Sequence, residues 1–171
     1  MHDLVIITDF DGCLTSGVKS YHEHGGKLVK QKHISDLDST IIDRIKDKVK
    51  ICILSKDREI SGLFALKKRV DYVYAEGSKL KALEGYFQNN FDQNKYPEFA
   101  YLGNSLDDLE CLEKAKIGFV PLDRSDFVKR AQGMMEDVYA LRNKGGEGAF
   151  EEMISFLIFN QGLLPKSILN D

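Results

Sequence analysis

Short apolar runs rich in β-branched and aromatic residues recur at residues 4–8, 49–54, 72–75, 99–102, 117–120 and 138–141. Between them, residues 39–48, 59–69, 79–91, 106–114, 125–131 and 149–160 carry apolar positions at helical spacing. Strands that are apolar on both faces and alternate with helices predict an α/β fold, a doubly wound, Rossmann-like parallel sheet covered on two sides. Residues 17–34 break this rhythm. A polar stretch with the pair Gly25-Gly26 sits between partly alternating flanks, which predicts a β-hairpin flap after the first strand. No other insertion is large enough to form a cap, so one domain over residues 1–171 is expected. The last helix has one stripe at Met153, Ile154, Leu157 and Ile158 and a second at Phe156, Phe159 and Leu163. Coverage that wide suits either a self-association surface or a fully buried terminal helix.

Composition narrows the function classes. A net charge of −3 over 171 residues, with both signs interspersed, leaves no basic face for a nucleic-acid backbone. The first apolar run is interrupted by Asp9 and Asp11 and is too short for a leader or a membrane span, so a cytoplasmic protein without membrane contact is expected. Cys13, Cys52 and Cys111 are odd in number and lack a CxxC pair, which argues against a disulfide framework and a structural zinc site. Cys52 reads as a buried small hydrophobe.

The candidate chemistry begins where the first strand ends. Alternation points Asp9 and Asp11 the same way at a carboxyl strand end, where ligands bind in open parallel sheets, and Gly12 allows a sharp turn behind them. Two carboxylates held that close repel and call for a cation. A calcium EF-hand loop is excluded, because its sixth position is Leu14 instead of glycine. The plainer alternative is that the two aspartates only cap and turn the strand. His22 and His24 share a flap face without a third ligand at suitable spacing, and a solvated polar edge accounts for them better than a metal does. The run Gly145-Gly146-Glu147-Gly148 lacks a P-loop lysine and hydroxyl and reads as a loop entering the last helix.

The segment Asp9-Phe10-Asp11-Gly12-Cys13-Leu14-Thr15 resembles the DxDGxxT signature of haloacid dehalogenase-type phosphatases. Ser55, Lys79 and the loop Gly103-Asn104-Ser105-Leu106-Asp107-Asp108 follow in the order of that family, each at the end of an expected strand. Residues 100–112 and the stretch Gly145 to Glu152 narrow the resemblance to the capless branch. That branch holds 3-deoxy-octulosonate 8-phosphate and nononate 9-phosphate phosphatases and the C-terminal domain of animal acylneuraminate cytidylyltransferases. The resemblance implies a magnesium-dependent, homotetrameric sugar-phosphate phosphatase that works through an aspartyl-phosphate, possible substrates being eight- or nine-carbon keto-deoxy sugar acid phosphates. Asp9 would be the nucleophile, Asp11 the general acid and base, and Ser55 and Lys79 the phosphoryl ligands. Magnesium would be held by Asp9, Asp11 through its carbonyl, Asn104 and Asp108, with Asp108 supplying more charge than Asp107.

Two departures stand out. Asn104 occupies a position that is acidic in many relatives, and Glu147 and Glu151 stand where relatives carry arginine. They favour a second reading, a catalytically weak domain that serves assembly or regulation of a sugar-acid cytidylyltransferase. The four converging groups Asp9, Asp11, Ser55 and Lys79 favour the enzyme.

Overall fold

The computed structural model describes residues 4–92 and 96–170. Strand β1 (Leu4–Thr8) is buried throughout and is followed by the antiparallel hairpin β2 (Ser20–His24) and β3 (Lys27–Gln31). The alternating part continues through α1 (Asp36–Ile45), β4 (Ile51–Ser55), α2 (Ile60–Lys68), β5 (Asp71–Tyr74) and α3 (Lys79–Asn90). It ends with β6 (Glu98–Leu102), α4 (Leu109–Lys114), β7 (Ile117–Val120), α5 (Asp126–Gln132), β8 (Val138–Ala140) and α6 (Ala149–Phe159). The six strands of the main sheet are parallel in the order β5-β4-β1-β6-β7-β8, and the hairpin is a separate two-stranded sheet.

Alternation along β1 sends Leu4 and Ile6 to one face and Val5 and Ile7 to the other. The first face packs on Ile42 and Ile45 of α1, Ala65 of α2 and Met153 and Leu157 of α6. The second packs on Leu83 and Phe87 of α3, Cys111 of α4 and Val128 of α5. Burial on both faces is why these strands read as continuous apolar runs. The chain winds outward through β4 and β5, then returns to place β6 on the other side of β1. The crevice at the carboxyl ends of β1 and β6 is therefore a topological switch point, where doubly wound sheets take ligands.

Several expectations shift. Helix α1 begins three residues before the expected Ser39, because the Ser35 hydroxyl accepts the Leu37 N–H (3.2 Å) and acidic residues fill the first turn. The flap turns at Gly25 and Gly26, both at positive φ, as a two-residue hairpin loop requires. The second stripe of α6 is absorbed within the chain, since Phe156 packs on Phe119 and Tyr139 with ring centroids 5.4 and 4.9 Å away. Of that stripe, Phe159 is left exposed, with the Lys166 ammonium over its ring. All three cysteines are free and buried, and no helix among the described residues is long and apolar enough to cross a membrane.

Candidate active site

Asp9 is the first residue beyond β1. Its N–H is tied to the Leu102 carbonyl of β6 (2.9 Å), so its backbone is fixed from both central strands. The Phe10 N–H (2.7 Å) and the Lys79 ammonium (2.9 Å) both meet its Oδ1. The loop then bends at Gly12, which lies at φ +79°. A Cβ there would come within 1.9 Å of Asn104 Nδ2, so a side chain is excluded by space as well as by conformation. Gly145 backs the same loop: a Cβ on it would meet the Gly12 carbonyl oxygen at 2.1 Å, and the Gly146 N–H donates to Cys13 O. The Gly-Gly run is thus a close-packed support for the aspartate loop. Glu147 is exposed and Glu151 gives its N–H to Asp38, and neither is among the residues lining the cleft.

Asp9, Asp11, Ser55, Lys79 and Asn104 all line one cleft of about 290 Å³ at the switch point. Ser55 closes β4, and its Oγ accepts the Asp57 N–H (3.0 Å), which leaves its own proton free to donate into the cleft. Lys79 opens α3 and is held by two carboxylates, Asp9 and Asp108, the latter at 2.7 Å. Burial works against the Lys79 charge, but these two partners more than offset it and keep the ammonium protonated. Burial and the nearby Asp108 push the Asp9 carboxyl up, to about 7, against the pull of Lys79.

The two acids of the last loop are placed oppositely to expectation. Asp107 lines the cleft and pairs with Lys56 at its rim (2.9 Å), whereas Asp108 is fully buried and does not line it. Asp108 Oδ1 accepts from Lys79 and from the Tyr101 hydroxyl (2.6 Å), and Oδ2 accepts the N–H groups of Asn104 (3.1 Å) and Ser105 (3.0 Å) and the Ser105 hydroxyl (2.8 Å). Burial opposes its ionisation, yet Lys79, Tyr101 and Ser105 hold it below the usual carboxylate range. The physical reason is local: Ser105 and Asp108 form a capping box, which turns the acid back onto the loop. With five donors on it, Asp108 supports the loop and Lys79, and offers no lone pair to a cation.

Asn104 is different. Its Oδ1 is buried and has no hydrogen-bond partner, so its lone pairs are available to a cation. Among the described residues no group of three or more His, Cys, Asp or Glu gathers to hold a metal, and His22 and His24 are exposed. A hard cation at this cleft would take mixed oxygens: the Asp9 carboxylate, the Asp11 carbonyl and the Asn104 amide. The donor chemistry fits magnesium.

Sequence reasoning missed Lys32, Asp57 and Tyr101. Lys32 lies just beyond β3, and its ammonium contacts both oxygens of Asp11 (2.6 and 2.7 Å) and Asp57 Oδ2 (2.5 Å). Lys30 also pairs with Asp57. Burial would raise the Asp57 carboxyl, but hydrogen bonds from Lys30 and Lys32 hold it well below the usual range. The period-2 alternation that puts Lys30 and Lys32 on one flap face was available in the sequence; the identity of their partner was not.

A six-stranded parallel sheet in this order, with motif loops at the ends of β1, β4 and β6 and a hairpin instead of a cap among the described residues, is a doubly wound fold that the chain shares with solved haloacid dehalogenase (HAD) family hydrolases. No family model matches the chain. Among solved structures it is similar to a probable YrbI-family phosphatase of Pseudomonas syringae pv. phaseolica, at 26% identity over 95% of this chain and 88% of that one, TM-score 0.74. It is also similar to the cobalt-bound deoxy-D-mannose-octulosonate 8-phosphate phosphatase of Haemophilus influenzae (24% identity, 94% and 88% covered, TM-score 0.73). A third is the 3-deoxy-D-manno-octulosonate 8-phosphate phosphatase of Moraxella catarrhalis in complex with magnesium, phosphate and KDO (19% identity, 91% and 85% covered, TM-score 0.74).

Proposed function

We propose that this chain is a magnesium-dependent phosphomonoesterase that acts on a small sugar phosphate, the eight- and nine-carbon keto-deoxy sugar acid phosphates being the first class to try. The observation that carries this is the convergence of Asp9, Asp11, Ser55 and Lys79 on one cleft at the switch point, beside an amide oxygen that lacks a donor. In the first step an Asp9 oxygen attacks phosphorus, the bond from phosphorus to the sugar oxygen breaks, and Asp11 gives its proton to the departing alkoxide. In the second step Asp11 takes a proton from water, the water oxygen attacks phosphorus, and the bond to Asp9 breaks, which releases inorganic phosphate and restores both carboxyls. Ser55 donates its free proton to a phosphoryl oxygen, and Lys79 neutralises charge beside it. Magnesium would be held by Asp9, the Asp11 carbonyl and Asn104, and when bound it supplies the positive charge that offsets repulsion between the carboxylates and the phosphate. The same charge favours the ionised, nucleophilic form of Asp9 over the protonated form that burial favours.

The exposed side chains Val18, Tyr21, Leu28 and Val29 of the flap region support a homotetramer in which the outer flap covers a neighbour's cleft. The test of the function is phosphate release from p-nitrophenyl phosphate and a panel of sugar phosphates, with magnesium and with EDTA. Asp9→Asn should abolish turnover while the protein stays folded. Release by Asp9→Asn at near the parental rate would overturn the nucleophile assignment, and a parent inert on every substrate would favour the assembly reading.

A further inference from the structure

We propose that Lys32 is a positioning residue for Asp11, so that the foot of the flap controls proton transfer to the leaving group in its own chain's cleft. The inference rests on the phosphatase reading above. The Lys32 side chain has no exposed surface, and its ammonium lies 5.3 Å from the centroid of the Phe10 ring. An ammonium taken out of water in this way persists only if it is fully paired. Its partners are both oxygens of Asp11 and one of Asp57.

Asp57 is in turn rigidly held. Its Oδ1 accepts the N–H groups of Glu59 (3.0 Å) and Ile60 (3.1 Å) at the start of α2, and its own N–H is on Ser55 Oγ. Asp11, by contrast, stands on a loop with a 29% exposed side chain, and among the described residues it receives, apart from Lys32, only a long contact from the Thr15 hydroxyl (3.3 Å). Without the ammonium its carboxyl would be free to swing. A general acid must stand within hydrogen-bond reach of the leaving oxygen, and a misplacement of about 1 Å costs up to about 100-fold. Asp57 keeps the ammonium paired while Asp11 holds its proton, and the carboxylate that Asp11 becomes on passing the proton is received by the same ammonium.

The consequence is selective. A leaving group that departs without a proton has no need of Asp11 in the first step, so the loss of Lys32 should depend on the leaving group. The experiment measures first-turnover release, enzyme in excess, from p-nitrophenyl phosphate and from benzyl phosphate, whose alkoxide must be protonated. In Lys32→Met the benzyl phosphate rate should fall about 10- to 100-fold and the p-nitrophenyl phosphate rate by less than about 3-fold. Lys32→Arg, which keeps a cation on both carboxylates, should restore most of the difference, and Lys30→Ala should leave the ratio of the two rates unchanged. Lys32→Gln replaces Lys32→Met if the latter does not fold. Equal losses on both substrates in a folded variant, or no loss on either, would overturn the proposal while leaving the phosphatase reading intact. A parent inert on both would remove the two together.

Discussion

Asp108→Asn tests how much of the cleft's architecture depends on one buried carboxylate. Its two oxygens face different donors: Lys79 and Tyr101 on one side, and two backbone N–H groups and a hydroxyl on the other. An amide can offer its oxygen to only one side. In either orientation the buried ammonium of Lys79 loses one of its two counter-ions; with the nitrogen toward Lys79 it loses an acceptor as well, and with the nitrogen toward the loop two backbone N–H groups lose theirs. The hydroxyls of Tyr101 or Ser105 can turn to accept, but the fixed donors cannot. Breaking a buried pair costs about 3–5 kcal/mol, and relief of repulsion between Asp108 and Asp9 returns part of it, so about 3 kcal/mol is expected. For a chain of this size that lowers the melting temperature by about 6–12 °C. The control is the neighbouring acid: Asp107→Asn breaks only an exposed pair with Lys56 and should stay within about 0.5 kcal/mol of the parent. Urea unfolding followed by circular dichroism measures both. A loss under about 1 kcal/mol in Asp108→Asn, or equal losses in the two variants, would refute the assignment of Asp108 as the support of the loop.

Asn104→Asp should tighten magnesium by about 1–2 kcal/mol, because it adds charge at an oxygen that has no donor, and should lower the melting temperature in EDTA by crowding a further carboxylate near Asp9; calorimetry and thermal melts that move neither quantity would count against the site. Asp38, buried under the start of α6 with its Oδ2 unpartnered, is pushed up by burial to about 6, against hydrogen bonds from the Glu151, Gly148 and Phe150 N–H groups. A carboxyl raised above its unfolded value contributes stability that is present below about pH 4 and lost as pH rises through about 6, so the stability of Asp38→Asn relative to the parent should improve by about 2–3 kcal/mol between pH 4 and pH 7. A difference that does not change with pH in denaturant titrations would contradict this.

The sheet was legible because burial on both faces leaves a mark on every residue of a strand, as in the fully buried run Leu4–Thr8. The flap was legible because Gly25 and Gly26 are needed at positive φ. The start of α1 was misjudged because the Ser35 cap lies outside the apolar period that located the helix. The second stripe of α6 was left open between self-association and burial for another reason: Phe156 meets Phe119 of β7 and Tyr139 of β8, and periodicity does not report which faces tertiary packing will cover. For Lys32 the alternation with Lys30 was visible but its partners were not, since Asp11 is 21 and Asp57 25 residues away.

The acids that support the two buried lysines have one thing in common. Lys79 bridges Asp9 to Asp108, and Lys32 bridges Asp11 to Asp57. Each carboxylate with a proposed chemical role therefore shares an ammonium with a second carboxylate outside that role, and each second carboxylate also accepts backbone N–H groups where a strand passes into a helix. Asp57 and Asp108 both accept backbone N–H groups at a helix start, and capping alone would explain their residue type. The structure adds that the cap fixes the acid, the acid fixes the lysine, and the lysine fixes the carboxylate in the cleft. Neutralising a capping acid should therefore be felt twice, once in the stability of the turn and once in the placement of the reacting group. Replacing the exposed Asp107 should be felt in neither.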